Sequence, residues 1–138
     1  MDNFSKNISI LEHILHYCRD IEQIVERFGD SIDTFNADIA YRHACSMYII
    51  QIGELSARLT DGFKCVYDGI PWKNVKAMRN LFAHHYEGMS IEKTWNTIKE
   101  DIPVLSSYCA DILAQYNALE QPALEIDYEQ EDDNELER

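Results

Sequence analysis

A chain of 138 residues that is 46% hydrophobic can bury one real core, and a second folded domain would be cramped. Its formal charge of −13 excludes a general nucleic-acid-coating surface, because such surfaces are basic. The charge is uneven: residues 125–138 hold eight acids and one base, which leaves the body at about −6, so any RNA contact needs a local basic site.

No stretch approaches the roughly 18 apolar residues of a membrane span. The N-terminus lacks the apolar run of a secretory signal. Cys18, Cys45, Cys65 and Cys109 are scattered with no CxxC pair, the pattern of reduced thiols in a cytoplasmic protein.

In chain order, Ile8, Leu11, Ile14, Leu15, Cys18, Ile21, Val25 and Phe28 recur at steps of three and four, which predicts a long amphipathic helix. Gly29 is its natural stop. His13 and His16 lie three apart on that helix and could share a metal in principle, but no third ligand stands at matching spacing. Residues 30–38 are rich in capping side chains and read as a connector with room for one helical turn. A second long helix is expected over Ile39–Leu59, with Ala40, Ala44, Met47, Tyr48, Ile52, Leu55 and Leu59 as its buried stripe. Gly53 inside it weakens the helix by about 1 kcal/mol relative to alanine, which a close helix–helix approach would explain. Glu54 beside it is a weak candidate for supporting a site.

Residues 60–69 form a short aromatic segment around Phe63 and Tyr67. Ile70-Pro71-Trp72 opens a third long helix, since proline suits a first turn. Its apolar face runs through Trp72, Val75, Met78, Leu81 and Phe82, and it ends between Ala83 and Gly88. Ser90 is the expected N-cap of a last helix carrying Ile91, Trp95, Ile98, Ile102, Leu105, Cys109, Ile112, Leu113 and Tyr116, with Pro103 kinking or interrupting it. Trp72 and Trp95 read as core aromatics rather than base-stacking platforms. Strand signals are absent, so the fold class is all-α, an up-and-down bundle of four to five helices over residues 1–121. Residues 122–138 form an acidic tail that is expected to be disordered.

The densest chemistry lies in Met78-Arg79-Asn80-Leu81-Phe82-Ala83-His84-His85-Tyr86. Arginine forks onto phosphate oxygens, histidine exchanges a proton near neutral pH, and a tyrosine hydroxyl can be modified. Asn80 and His84 are four apart and share a helix face; Arg79 and Tyr86 would share the neighbouring one if the helix persisted. Taken singly, Arg79 could be a salt-bridging residue at a helix end and His84 a capping histidine.

Taken together, Arg79-Asn80-x-x-x-His84-x-Tyr86 matches the R-x4-H-x-Y signature of the HEPN superfamily. The chain resembles the toxins of HEPN/MNT toxin–antitoxin systems, the HepT-like DUF86 group. Leu11–Leu15, Gln51–Leu55, Ile70–Trp72 and Asp101–Leu105 continue the likeness, which covers about residues 8–116. The resemblance implies a metal-independent endoribonuclease without cofactor, acting on RNA at the cleft of a homodimer. Carried over, Arg79 would stabilise the scissile phosphate, His84 would move the proton, and Asn80 would orient one of them. Tyr86 would be the hydroxyl that a minimal nucleotidyltransferase antitoxin adenylylates. His85 gives the wrong spacing for the family histidine. The alternative reading is a non-catalytic helical partner of a nucleotidyltransferase.

Overall fold

A computed structural model of the chain describes the backbone of residues 2–135 and the side chains of residues 2–119. The tail expected to be disordered, residues 122–138, lies outside the residues described in full. The described residues form seven α-helices and no strand: α1 (Asn3–Phe28), α2 (Ile32–Ala37), α3 (Ile39–Ala57), α4 (Asp61–Val66), α5 (Trp72–His84), α6 (Ile91–Asn96) and α7 (Ile102–Glu135). A 3-10 turn (Tyr86–Gly88) follows α5, and a π-helical segment (Thr97–Asp101) joins α6 to α7. Four long helices make the bundle, as the all-α expectation requires, and the three short ones are connectors.

Local chemistry sets the boundaries. The Asp2 carboxylate accepts from Ser5 N at 2.7 Å, which starts α1 earlier than its apolar periodicity does. Gly29 ends it with φ at 122°, its N–H donating to the Val25 carbonyl. Ser31, Asp38, Thr60 and Ser90 cap α2, α3, α4 and α6 through their side chains. Pro103 falls just after the π-helical segment. Its missing N–H and ring are absorbed where the helix is already widened, so the kink expected at proline appears as a change of helix type.

Successive long helices run antiparallel. Phe28 stacks on Tyr41 and Tyr17 meets Tyr48 across α1 and α3, while Phe4 meets Tyr116 across α1 and α7. Leu11, Ile14, Cys18 and Ile21 of α1, Ile49 and Ile52 of α3, and Ile102 and Cys109 of α7 fill the core. Trp72 is buried and donates through Nε1 to the Tyr67 carbonyl at 2.8 Å; Trp95 packs on Phe35. Both tryptophans therefore serve packing.

The stripe expected on α3 needs correction. Ala40 and Met47 are exposed, and Tyr41, Cys45, Ser46, Ile49 and Ser56 are buried instead. The helix α3 packs against both α1 and α5. At about 100° per residue its buried positions still share one face. That face includes Ser46, Gly53 and Ser56 while Ile39 and Met47 stand outside it, so apolar spacing alone points to the wrong side. The histidines of α1 are engaged locally, His13 Nδ1 with the Ser9 carbonyl at 2.8 Å and His16 with Asp20 at 3.6 Å.

Candidate functional site

The site is assembled where α5 crosses α3. Gly53 makes that crossing close: a Cβ on residue 53 would overlap Arg79 Cβ and stand 2.6 Å from Arg79 Cγ and 3.3 Å from its Cα. The glycine anticipated as a contact point thus lies directly under the arginine of the motif. The next residue of α3, Glu54, receives a hydrogen bond from Arg79 Nη1 at 2.7 Å. Arg79 is 23% exposed and Glu54 43%. Arg79 Nε is buried without a hydrogen-bond partner among the described residues.

At the other end of the crossing, α5 stops at His84, and the His85 N–H closes the last turn on the Leu81 carbonyl. The chain then tightens into the 3-10 turn, which carries Tyr86 back onto the bundle. Its ring lies 6.3 Å from that of Phe82 and 5.6 Å from that of His43, edge to face. The Tyr86 hydroxyl is buried and has no hydrogen-bond partner among the described residues. Arg79 and Tyr86 therefore both turn toward α3, whereas Asn80, His84 and His85 are exposed. Residues 82–88 line a shallow open pocket at this end of α5.

Helical geometry separates the two main groups of the motif. At about 100° per residue, five residues of α5 place Arg79 and His84 about 140° apart around the axis and about 7.5 Å apart along it. One chain does not aim both at a single phosphate from one helix face. Asn80 and His84, about 40° apart, do share a face.

The local charge differs from that of the whole chain. From Trp72 to Tyr86 there is no acidic residue, while Lys73, Lys76 and Arg79 are cationic and both lysines are exposed. This is the local basic strip that RNA contact would need on an acidic body. Among the described residues, no group of three or more His, Cys, Asp or Glu side chains is placed to hold a metal ion. No helix among them is long and apolar enough to cross a membrane.

One residue of this neighbourhood was not placed there by the sequence: His43 reaches Tyr86 from a helix more than forty positions earlier, with nothing in its own surroundings to mark it. Glu54, a weak candidate from its place beside Gly53, does meet Arg79.

Comparison with known proteins places the chain. The "Putative RNase" of Caldanaerobacter subterraneus subsp. tengcongensis is 34% identical over 104 residues, 75% of this chain and 90% of that protein. The "Probable ribonuclease HepT" of Thermococcus cleftensis is 33% identical over 94 residues, 64% of this chain and 86% of that protein. No solved structure matches significantly. The family model described as "Ribonuclease HepT-like" matches residues 14–112, a span that includes Gly53, Glu54 and the whole of Arg79–Tyr86. The chain belongs to the HepT-like ribonuclease family.

Proposed function

We propose that this protein is the toxin of a type II toxin–antitoxin pair, a metal-independent endoribonuclease that works as a homodimer. The observation that carries the reading is the position of Arg79, Asn80 and His84 at the end of an acid-free helix, inside the span matched to the family. Arg79 holds the scissile phosphate and offsets charge developing on its oxygens. The ribose 2′-hydroxyl attacks the adjacent phosphorus, the bond to the 5′ oxygen breaks, and His84 moves the proton that the exchange requires. The products are a 2′,3′-cyclic phosphate and a 5′-hydroxyl. The nucleophile belongs to the substrate, so this route needs no metal. Asn80, on the face of His84, orients the phosphate or the histidine. The angular separation of Arg79 and His84 is what supports a cleft completed by a second copy.

Tyr86 is the off-switch in this reading. Its oxygen attacks the α-phosphorus of ATP, pyrophosphate leaves, and the resulting AMP brings negative charge and bulk beside the phosphate site. The nucleotidyltransferase antitoxin must first reach a hydroxyl that is buried here, so the 3-10 turn has to open for the transfer.

The test is degradation of RNA and arrest of growth by the parent, Arg79→Ala and His84→Ala proteins. Loss of both effects in both variants is expected; variants as potent as the parent would remove the catalytic assignment. Intact mass after mixing with the nucleotidyltransferase and ATP tests the switch. An AMP-sized increment that persists in Tyr86→Phe would place the modification elsewhere. The acidic body favours the second reading, a docking partner of the transferase without nuclease activity, and RNA left intact by concentrated parent protein would support it.

A further inference from the structure

We infer that Glu54 is the positioning residue of the Arg79 guanidinium, an inference that rests on the ribonuclease reading above. Two consecutive positions of α3 act on one side chain of α5. Gly53 removes the side chain that would collide with the Arg79 stem, so the stem lies against the α3 backbone. Glu54 then takes the head group, Oε1 to Nη1 at 2.7 Å. No acid exists on α5 or in the turn after it as far as Tyr86, so the carboxylate at this arginine comes from the neighbouring helix at the crossing point.

The contact has the form of a tether rather than a cap. One carboxylate oxygen meets one terminal nitrogen, and guanidinium offers five N–H donors in a rigid fork. An acid that competed fully with phosphate for the arginine would take two donors at once. Glu54 takes Nη1 alone, Nε is buried, and Nη2 makes no hydrogen bond among the described residues, which leaves Nη2 as the donor for phosphate. A long arginine side chain without the tether would sample many rotamers and would have to be ordered again at each encounter with substrate. At 23% and 43% exposure the pair adds little to folding, so fold stability does not account for it.

The experiment compares parent, Glu54→Gln and Glu54→Ala proteins on one short RNA, in single-turnover reactions with chelator, together with thermal melts and ¹⁵N–¹H spectra of the arginine side chains. In Glu54→Ala the maximal rate is expected to fall about a hundredfold, the scale of a misplaced catalytic group. The RNA concentration giving half-maximal rate changes far less. Glu54→Gln keeps an acceptor oxygen and recovers the rate to within about tenfold of the parent, since the charge-assisted bond becomes a neutral one. Melting temperatures of all three stay close, and the Arg79 Nε–H signal is distinct in the parent and averaged in Glu54→Ala.

A Glu54→Ala protein that cleaves as fast as the parent or faster overturns the inference. So does a rate loss that Glu54→Gln does not relieve, or one that tracks a fall in melting temperature. If the parent itself cleaves no RNA, the ribonuclease reading fails. The spectra still judge the tether: an Arg79 signal unaffected by Glu54→Ala overturns it.

Discussion

Gly53 and Arg79 meet where no side chain on residue 53 would fit, because its Cβ would overlap Arg79 Cβ and lie 2.6 Å from Cγ. The atoms in the way are close to the α5 backbone and cannot swing aside. Gly53→Ala therefore destabilises the fold by about 1–3 kcal/mol, the range for overpacking, against the gain of about 1 kcal/mol in helix propensity that alanine would otherwise bring. Urea unfolding measures the first effect. Because the strain falls on Arg79 itself, RNA cleavage below the unfolding transition should drop further than the folded fraction does.

Tyr86 separates packing from polarity. Tyr86→Phe keeps the ring between Phe82 and His43 and deletes a buried hydroxyl that has no hydrogen-bond partner among the described residues. It should leave stability unchanged or raise it by up to about 1 kcal/mol, since an unsatisfied group no longer has to be desolvated. Tyr86→Ala loses the ring and should destabilise by about 1–2 kcal/mol, less than a fully buried aromatic because the residue is half-buried. Denaturation midpoints of the three proteins give the comparison.

How far the sequence could be read depends on whether the buried face of an element is also its apolar face. The helix α1 has one buried stripe, and Ile8, Leu11, Ile14, Leu15, Cys18, Ile21 and Val25 are all in the core as their spacing predicts. The last helical run behaves alike from Ile98 to Leu113. Central α3 does not, because its buried face carries Ser46, Gly53 and Ser56 and leaves the apolar Ile39 and Met47 outside. At the site, local spacing gave Asn80 and His84 their shared face and gave Gly53 its close contact. The partners of Arg79 and Tyr86 are long-range: Glu54 is 25 positions from Arg79, and no local periodicity encodes which helix will cross it.

The junction of α1 and α4 depends on one buried amide. Asn7 donates through Nδ2 to Thr60 Oγ1 at 3.0 Å, and its Oδ1 accepts from Thr60 N at 3.1 Å. The same threonine hydroxyl caps α4 by accepting from Phe63 N. Asn7→Ala leaves the Thr60 N–H unsatisfied and loosens the cap together with the packing, so a loss of about 1–3 kcal/mol is expected. Hydrogen exchange should locate the loosening at α4 before the rest of the bundle.

The thiols predict behaviour at high pH. Burial pushes Cys18, Cys45 and Cys109 up to about 12 from 9.0, while Cys65 is exposed. In the folded protein at pH 8, a thiol reagent should label Cys65 quickly and the other three only on unfolding. These raised values favour the protonated thiol in the fold. Their stabilisation is complete below pH 9 and is lost as pH rises from 9 through about 12, where the unfolded chain binds fewer protons. A tenfold difference in proton affinity between folded and unfolded chain is worth about 1.4 kcal/mol, so unfolding should set in within that window and follow thiolate absorbance.

Cleavage by Arg79 and His84 through the substrate's own 2′-hydroxyl is tested most directly with an oligonucleotide that has one ribose among deoxyriboses, incubated with purified, unmodified protein and a metal chelator. A single cut immediately 3′ of that ribose is expected, with a 2′,3′-cyclic phosphate by mass and no product from Arg79→Ala or His84→Ala proteins. Undiminished cutting by either variant, or an intact oligonucleotide with concentrated parent protein, would contradict it.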